Sequence, residues 1–432
     1  MYSVRRDGPR VVYRDELEGV TMNVGAELSA GLARMEEPPA IDSAAYEEAL
    51  RRPIGVRPLA ELAGRARRAC VIVPDSTRNA PSGRFVPLIL GELRRGGMRL
   101  EDIVIIVAIG VHRPATPQEM DEIIGPEFRG RVRIVNHDPY TPEALVSLGR
   151  TSRGTPVEVN RTVYECDLRV GLAKVEPHEF AGFSGGRKLV LPGVAGEESI
   201  VANHRPEMIL SPRASIGVLE GNPVSEDMEE AAALLGLHFV VNTVVDKAGE
   251  PIGVFAGDLR AAHLAAVDFL RSFSEVALQE QPDVVVTTPG GPLNINLYQS
   301  LKPVFAIEPV LARGGAIVLY TSCPEGVGSD DLLKPYAGET TPDGVIRRLA
   351  QAYRIQMDHA LLLSRVQKRG IKLFATSPGV PAATFGKMFV DAAGSPQEAL
   401  ERAITHARKG GRLGRVLFFP QPQRTLPTLN PS

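Results

Sequence analysis

The stretch ACVIVPDSTRNAPSGRFVPLILGELRRGGMRLEDIVIIVAIG, residues 69–110, decides the fold class. It opens with a short β-rich run at Ala69–Ser76, and apolar residues then recur at helical spacing between Phe85 and Leu93 until Gly96-Gly97 stops the helix. The continuous apolar run at Asp102–Gly110 is typical of a strand that is covered on both faces. Strand, helix and strand in this order predict an α/β fold with a largely parallel sheet.

The chain is long enough for two such domains. Its 432 residues exceed the size at which one hydrophobic core usually keeps growing. A second series of strands and glycine turns begins with Pro282–Gly291, and the helical stretch Asp258–Val276 predicts a connection between two α/β domains with largely parallel sheets. The predicted boundaries are 1–275 for the N-terminal domain, which segment 408–432 is expected to rejoin, and 276–407 for the C-terminal domain.

Composition and charge argue against several classes of protein. Hydrophobic residues make up 44% of the chain and its formal net charge is −2, so no basic excess indicates a nucleic-acid partner. The three cysteines, Cys70, Cys166 and Cys323, lie far apart, which argues against a disulfide framework or a structural zinc site. No run approaches the roughly 20 apolar residues of a membrane span, and the charged N-terminus lacks the apolar core of a signal peptide. We therefore expect a cytoplasmic protein without a membrane partner.

The segment PHEFAGFSGGRKLVLPGVAGEESIVANH, residues 177–204, is the richest in chemistry, because it combines one lysine, two histidines and five glycines. Glycines let a backbone approach a ligand closely, and lysine and histidine supply nucleophilic, metal-binding or proton-transferring groups. Lys188 follows Arg187 and precedes Leu189, which does not fit a Walker A phosphate loop, and the glycine spacing does not fit a dinucleotide fingerprint. The segment therefore predicts a site for a less common ligand.

Two further groups of polar residues follow predicted strands. Residues 75–78 come after the first strand, and His112-Arg113 come after the second. Ligands in open α/β sheets bind at the carboxyl ends of the strands. The glycine-rich loop also leads into a helix that is predicted to begin at Gly196, and a helix N-terminus suits an anionic group. These positions favour one site, on physical grounds alone.

Five separated motifs resemble the signature of the nickel-dependent lactate racemase family. That family carries a nickel-pincer nucleotide, the nickel complex of pyridinium-3,5-bisthiocarboxylic acid mononucleotide. The resemblance implies two α/β domains with the active site in the cleft between them. The motifs, in chain order, are PDSTRNAP (Pro74–Pro81), GVHRP (Gly110–Pro114), the glycine-rich segment (Pro177–His204), GGPLNINLYQSLKP (Gly290–Pro303) and CPEGVGS (Cys323–Ser329).

The resemblance implies a cofactor-binding role for one set of residues. Lys188 corresponds to the lysine that joins the cofactor through a thioamide, and some relatives hold the cofactor without that link. His204 is expected to bind the nickel, since imidazole suits this metal and one histidine completes a square-planar site beside a pre-formed pincer. Asp75 is expected at the cofactor, where it would orient Arg78 or a nearby histidine. A phosphate is expected at Ser184, Gly185 and Gly186.

A second set of residues is expected to act on the substrate. The resemblance implies that His112 and His178 are bases on opposite sides of a 2-hydroxy acid, because redox racemisation moves the hydroxyl proton together with a hydride. The remaining candidates are Arg78, Lys302 and Gln299 for the substrate carboxylate, with Tyr298 and Met357 beside the substrate.

Two positions depart from the lactate-acting pattern. Asn79 stands where those relatives have proline, and Met357 stands nearest to the position of a tryptophan that packs against lactate. A flexible thioether in place of a large ring reshapes a pocket wall. The sequence therefore favours a larger or differently shaped 2-hydroxy acid.

The function that we expect is an isomerase, a racemase or epimerase of 2-hydroxy acids. Cofactor-biosynthesis proteins of the host would be its partners, and a homo-oligomer is left open. A nicotinamide-nucleotide-dependent α/β oxidoreductase or sugar-acid epimerase is one alternative, and a protein that only binds the nickel cofactor or a hydroxy acid is another. We expect structural or solvated roles for the remaining histidines, which are His137, His238, His263, His359 and His406, and no catalytic role for Cys323.

Overall fold

The computed structural model describes residues 1–25, 27–78, 80–412 and 414–430, so that Asn79 lies outside the described residues. The chain forms two compact units. Unit 1 consists of residues 1–36, 205–212 and 274–432, and unit 2 of residues 37–204 and 213–273.

The strands in the described residues are, in chain order, β1 (Tyr2–Asp7), β2 (Arg10–Asp15), β3 (Val20–Gly25), β4 (Ala30–Leu32), β5 (Ala69–Pro74), β6 (Ile103–Ala108), β7 (Arg133–Asn136), β8 (Leu145–Arg150), β9 (Pro156–Asn160), β10 (Leu168–Lys174), β11 (Pro177–His178), β12 (Gly182–Phe183), β13 (Phe239–Val245), β14 (Pro251–Gly257), β15 (Glu275–Leu278), β16 (Val284–Thr287), β17 (Ala316–Tyr320), β18 (Lys372–Thr376), β19 (Asp391–Ala392), β20 (Val416–Phe418) and β21 (Leu426–Leu429).

The α-helices in the same residues are α1 (Ser43–Arg51), α2 (Leu59–Ala63), α3 (Ser82–Arg95), α4 (Pro117–Ile124), α5 (Arg161–Tyr164), α6 (Glu197–Asn203), α7 (Pro206–Ile209), α8 (Pro223–Leu235), α9 (Leu259–Ser274), α10 (Leu297–Ser300), α11 (Lys302–Ile307), α12 (Pro342–Gln351), α13 (Asp358–Lys368), α14 (Ala382–Lys387) and α15 (Pro396–Lys409).

Unit 2 is built on a six-stranded sheet of order β14-β13-β10-β5-β6-β7, in which only β13 and β14 pair antiparallel. Every residue of β5 is buried, as its continuous apolar sequence predicts for a strand covered on both faces. Phe85, Ile89 and Leu93 of α3 are fully buried in the core against this sheet. The predicted strand, helix and strand of residues 69–110 are thereby confirmed.

Unit 1 contains a six-stranded, all-parallel sheet of order β19-β18-β17-β16-β20-β4. An antiparallel sheet of β1, β2 and β3 belongs to the same unit. Tyr13 of β2 stacks on Phe418 of β20 with ring centroids 4.3 Å apart. The fold class is therefore α/β with two largely parallel sheets, as the sequence predicts.

The structure divides the chain differently from the predicted boundaries at both ends. Segment 408–432, expected to rejoin the N-terminal domain, instead lies in unit 1, where β20 pairs between β16 and β4. Residues 1–36, expected in the N-terminal domain, also lie in unit 1. The physical reason is that β4 and β20 are short, and each satisfies its backbone groups only by joining a sheet that is built from distant residues.

Both large sheets reverse their strand order at one point. In unit 2, β6 and β7 follow β5 on one side, whereas β10 lies on the other side of β5. In unit 1, β17, β18 and β19 follow β16 on one side, whereas β20 lies on the other. The loops that leave the carboxyl ends of the strands diverge at such a point and leave a crevice in which ligands bind. Within the described residues, no helix is long and apolar enough to span a membrane.

Candidate active site

The reversal point of the sheet in unit 2 carries the first group of predicted site residues. Asp75 and Arg78 directly follow β5, and His112 lies in the loop after β6. Oδ2 of the buried Asp75 accepts a hydrogen bond from Nδ1 of His112 at 2.8 Å. This bond places the proton on Nδ1 and the lone pair on Nε2, which lies 3.5 Å from Nη2 of Arg78. The bond to Asp75 therefore fixes both the orientation and the tautomer of His112.

Glu119 at the start of α4 ties together the two loops that carry these side chains. Its carboxylate accepts from both terminal nitrogens of Arg113, at 2.8 and 2.7 Å, and from Oγ of Ser76 at 2.7 Å. Glu119 also completes a capping box with Thr116 at the N-terminus of α4. These bonds hold the pKa of the Glu119 carboxyl well below its ordinary value, with the hydrogen bonds from Arg113 as the largest cause. The carboxylate thus remains charged.

The glycine-rich loop follows the neighbouring strand, β10. Oγ of Ser184 donates to the carbonyl of Lys174 at 2.8 Å and accepts from the N–H of Glu176 at 2.9 Å. The N–H of Ser184 donates to Glu176, and the N–H of Gly186 donates to Oδ1 of Asn242. These bonds occupy the groups through which Ser184 and Gly186 were expected to bind a phosphate. Both residues shape the loop, because their donors face the protein.

Two buried side chains pack behind this loop. Arg187, 3% exposed, donates from Nη2 to the carbonyls of Ala181 and Phe183. Nε2 of His263 lies 2.9 Å from the carbonyl of Ser184 and 3.0 Å from Nη1 of Arg187. Burial, with the Arg187 charge second, lowers the pKa of His263 to about 3, so this imidazole is neutral.

Close packing explains the glycine at position 185. Gly185 has φ +89°, and a Cβ there would lie 2.5 Å from Cγ2 of Val175. A side chain would be strained by the backbone and would also collide with its neighbour. Gly185 therefore lets the loop fold tightly over β10.

Phe180 gathers three of the predicted cofactor and catalytic residues. Its ring meets the imidazole of His178 edge to face at 4.7 Å and that of His204 at 5.2 Å between centroids. Nζ of Lys188 lies 5.9 Å from the centre of the same ring. The structure therefore brings Lys188, His178 and His204 together.

A backbone hydrogen bond sets the reactive nitrogen of His204. Nδ1 lies 3.0 Å from the carbonyl of Ile200, one turn earlier in α6, so that Nδ1 donates and Nε2 keeps its lone pair. Burial, followed by the charge of Lys188, lowers the pKa of His204 to about 3. A neutral imidazole with a fixed tautomer is the form that binds a metal. The donor set therefore fits a nickel ion that brings its other ligands with it.

A buried carboxylate holds the residue before His204. Asp227 accepts from Nδ2 of Asn203 at 2.8 Å and from the hydroxyls of Thr151 and Thr155 at 2.5 and 2.7 Å. Asn203 and Asp227 are fully buried. This network anchors the C-terminal end of α6, from which His204 projects.

His178 has different neighbours from His112. Its Nδ1 lies 3.4 Å from the N–H of Ala181 and 3.4 Å from a carboxylate oxygen of Glu179. Its side chain is 14% exposed, against 31% for His112. The two candidate bases thus differ in their orienting partners and in their access to solvent.

Unit 1 carries the remaining candidates, at the reversal point of its own sheet. The segment that leaves β16 turns into α10, where Oδ1 of Asn296 caps the helix by accepting from the N–H of Gln299 at 3.0 Å. The N–H groups of Leu297 and Tyr298 donate to the carbonyls of Gly326 and Val327. The CPEGVGS motif therefore fixes the start of the helix that presents Tyr298 and Gln299. Lys302 follows one turn later, at the first position of α11.

Tyr298 is held by the first turn of α13. Its hydroxyl lies 3.1 and 3.2 Å from the two carboxylate oxygens of Asp358, and its ring stacks on His359 with centroids 3.9 Å apart. Met357, 6% exposed, immediately precedes these residues at the N-cap position of α13.

Cys323 lies at the start of the CPEGVGS motif and is fully buried. It has φ +46°, and its Sγ lies 3.3 Å from Oγ1 of Thr321 and 3.5 Å from Oγ of Ser300. These neighbours make Cys323 part of a buried polar cluster below α10, and none of the contacts gives it a reactive role.

Sequence reasoning did not select Phe180, His263, Asp358 or His359 as site residues. Three of them contact residues far along the chain: His263 lies 79 positions from Ser184, and Asp358 and His359 lie 60 and 61 positions from Tyr298. Phe180, by contrast, lies within the glycine-rich segment. An aromatic residue two positions after His178 was the one local signal for it.

Comparisons with known proteins identify the family of the chain. Residues 17–217 match the family model of the lactate racemase N-terminal domain, and residues 277–416 match that of the lactate racemase C-terminal domain. The chain is 36% identical to the lactate racemase of Thermoanaerobacterium thermosaccharolyticum over 70% of this chain and 71% of the relative. It is 34% identical to the lactate racemase of Lactiplantibacillus plantarum over 87% of this chain and 88% of the relative.

Solved structures show the same similarity. The lactate racemase apoprotein from Thermoanaerobacterium thermosaccharolyticum matches with a TM-score of 0.88 and 30% identity, covering 95% of this chain and 97% of that chain. A protein from Thermotoga maritima matches with a TM-score of 0.69 and 18% identity, covering 92% of this chain and 100% of that one. The second likeness concerns the fold alone.

Proposed function

Because the chain belongs to the lactate racemase family, a family of isomerases, we propose that it racemises or epimerises 2-hydroxy acids with a nickel-pincer nucleotide. The observation that carries this proposal is the grouping of Lys188, His178 and His204 around Phe180. The loops with Asp75 and His112 leave the adjacent strands of the same sheet.

The residues of unit 2 would hold the cofactor as follows. Lys188 would carry it, through a thioamide or without a covalent link, and Nε2 of His204 would ligate the nickel. When bound, this group supplies a reversible acceptor for the hydride of the substrate. The backbone of Gly185 would bind the phosphate of the cofactor. Arg187 and His263 would keep the loop in the shape that presents Lys188, since they fill the space behind it.

Two histidines would move the hydroxyl proton. Nε2 of His112 would take the proton, and the Asp75 carboxylate would stabilise the imidazolium that forms, because the two groups share a 2.8 Å hydrogen bond. His178 would serve the opposite face of the substrate, with Glu179 beside it. Inversion would require the hydride to return to the opposite face of the same carbon, and the histidine on that side would then supply the hydroxyl proton.

Charged and polar side chains would fix the substrate carboxylate. Arg78 offers a planar fork that matches a carboxylate, Lys302 offers a point charge, and Gln299 adds an amide donor. Tyr298 and Met357 would face the substrate side chain. Because Met357 is smaller in cross-section than an indole, we propose a 2-hydroxy acid that is larger than lactate or differently shaped.

We place the protein in the cytoplasm, where cofactor-biosynthesis proteins of the host would supply the nickel-pincer nucleotide. This supply makes the choice of expression host a condition of any test, since a host without the pathway yields only the apoprotein.

The decisive experiment measures intact mass and nickel content of the protein from a host that makes the cofactor. Near-equimolar nickel is expected in the wild type and is expected to be lost in His204→Ala. An added mass that disappears in Lys188→Ala would show a covalent link. The matched control is Lys247→Ala, because Lys247 is exposed and belongs to the same unit.

Each outcome has a clear meaning. Nickel without added mass favours a cofactor held without a covalent link. The absence of both nickel and turnover of any 2-hydroxy acid would overturn the proposal. His112→Ala separates a racemase from a cofactor-binding protein, since it should keep the cofactor and lose turnover.

A further inference from the structure

We infer that Asp358 and His359 clamp Tyr298 and thereby select 2-hydroxy acids with a single carboxylate over 2-hydroxy dicarboxylates. This inference rests on the proposed function, because it takes Tyr298 to face the side chain of the substrate. We call Asp358 and His359 the Tyr298 clamp. Both are positioning residues that do not touch the substrate: His359 acts through Tyr298, and Asp358 acts through Tyr298 and through its charge.

The clamp fixes the tyrosine at three points. The His359 imidazole lies parallel to the Tyr298 ring, with an interplanar angle of 7° and centroids 3.9 Å apart. Nδ1 of His359 lies 2.7 Å from the backbone carbonyl of Tyr298, to which it donates. Phe305 meets the imidazole edge to face at 5.0 Å, and His359 is only 1% exposed. A side chain held at its ring, its carbonyl and its hydroxyl keeps one orientation.

The hydroxyl of Tyr298 is committed to the clamp. It lies 3.1 and 3.2 Å from Oδ1 and Oδ2 of Asp358, so its proton is donated to the carboxylate. Tyr298 therefore presents its ring to a ligand and has no donor left for a second polar group. Met357, the residue before Asp358, adds an apolar thioether to the same turn.

The charge of Asp358 would act on the substrate. Asp358 is 7% exposed, and its partners in the described part of the chain are the Tyr298 hydroxyl and Nε2 of His359, which lies 3.8 Å away. No lysine or arginine there pairs with it. A buried carboxylate that no lysine or arginine neutralises repels a second carboxylate more strongly than a solvated one would. Discrimination through such a repulsive group is a common route to specificity.

The test uses the cofactor-loaded enzyme and two acids of similar size, 2-hydroxybutyrate and malate. For the wild type we expect kcat/KM for malate to be at least about 10-fold below that for 2-hydroxybutyrate. Asp358→Asn keeps the shape and removes the charge, and it should narrow this ratio by about 10-fold, chiefly through KM for malate. Asp343→Asn is the matched control, because Asp343 is an exposed carboxylate of the same unit.

Two further measurements keep the inference falsifiable. Tyr298→Phe keeps the ring and the Asp358 charge, so it should preserve the preference for 2-hydroxybutyrate even if Asp358→Asn fails to fold. Calorimetric titration of both acids into the loaded protein gives the ratio of their dissociation constants whether or not turnover occurs. Absence of turnover would count against the proposed function. The ratio of the two dissociation constants would still show whether the Tyr298 clamp discriminates between the two acids. A wild type that prefers malate, or a ratio that Asp358→Asn leaves unchanged, overturns the inference.

Discussion

Asp75 and His112 show how one hydrogen bond gives a side chain its chemistry. The bond from Nδ1 to Asp75 leaves Nε2 as the basic nitrogen, and an imidazole without this partner would sample both tautomers and several orientations. The same logic applies to His204, where a backbone carbonyl takes the place of the carboxylate. In the proposed function, the neutral partner orients His204 as a metal ligand, whereas the charged partner supports His112 as a base that must become an imidazolium.

Asp75→Asn tests this assignment. The amide keeps the size of the side chain but cannot stabilise an imidazolium, so kcat should fall by about 100-fold while KM changes little. The measurement is steady-state racemisation with each enantiomer, alongside nickel content, which should stay at the wild-type level. Asp268→Asn, at an exposed carboxylate in the same unit, is the control. Unchanged kcat in Asp75→Asn would contradict the role of Asp75.

Met357→Trp tests the wall beside the substrate. The ring should narrow the pocket and raise the preference for lactate over larger 2-hydroxy acids by about 10- to 100-fold. The chain contains no tryptophan, so the new indole also gives a fluorescence signal that should change when a 2-hydroxy acid is added. An unchanged substrate preference, with a fluorescence that no acid alters, would show that residue 357 lies away from the substrate.

At the scale of elements, the glycine-rich loop depends on backbone geometry as much as on its chemical groups. Gly185→Ala should destabilise the protein by about 1–3 kcal/mol and lower nickel content, because the backbone is left-handed and Val175 occupies the space. Gly91→Ala is the matched control. Gly91 lies within α3 with open space around its Cα, so alanine there should stabilise by roughly 0.5–1 kcal/mol. Thermal unfolding and nickel analysis of both variants check this pair.

The elements themselves could largely be predicted from local sequence. The strand at Ala69–Pro74, the helix ending before Gly96 and the helix capped by Thr116 follow from apolar periodicity and capping chemistry, which act within a few residues. The roles of Ser184 and Gly186 could not be predicted in the same way. The N–H groups of Ser184 and Gly186 donate to Glu176 and Asn242, and only the folded chain shows that these acceptors lie within reach.

At the scale of the whole molecule, sequence reasoning identified the fold class and placed the site residues after the strands, but it assigned the chain ends to the wrong unit. Short strands such as Val416–Phe418 carry little information about their partners, since the apolar residues fit the edge of either sheet. The partners Val284 and Ala30 are more than a hundred positions away. Pairing over such distances depends on tertiary packing that no local pattern encodes.

Buried neutral histidines predict how the stability of unit 2 depends on pH. Burial lowers the pKa of His263 to about 3 and that of His137 to about 4, from an ordinary value of 6.5. The unfolded chain then binds more protons than the folded one below pH 6.5, so these contributions to stability are complete above pH 6.5 and decrease as the pH falls. The contribution of each histidine to the free energy of unfolding should fall by about 2 kcal/mol between pH 6.5 and pH 5.

Urea unfolding of the wild type and of His137→Asn at pH 7, 6 and 5 checks this expectation. The variant is less stable at pH 7, because Asn160 and the carbonyl of Ala195 lose their partner. Below pH 6.5 its free energy of unfolding should nevertheless fall less steeply than that of the wild type. The two slopes should differ by about 1.4 kcal/mol per pH unit. Parallel pH profiles would contradict a neutral, buried His137.

The pairing of β4 with β20 also dictates an order of events during synthesis. Ala30 leaves the ribosome long before its partner Val416, because the two residues lie far apart along the chain. All of unit 2, by contrast, lies between residues 37 and 273. A nascent chain can therefore complete unit 2, with Lys188 and His204, before β20 is synthesised and can pair with β4.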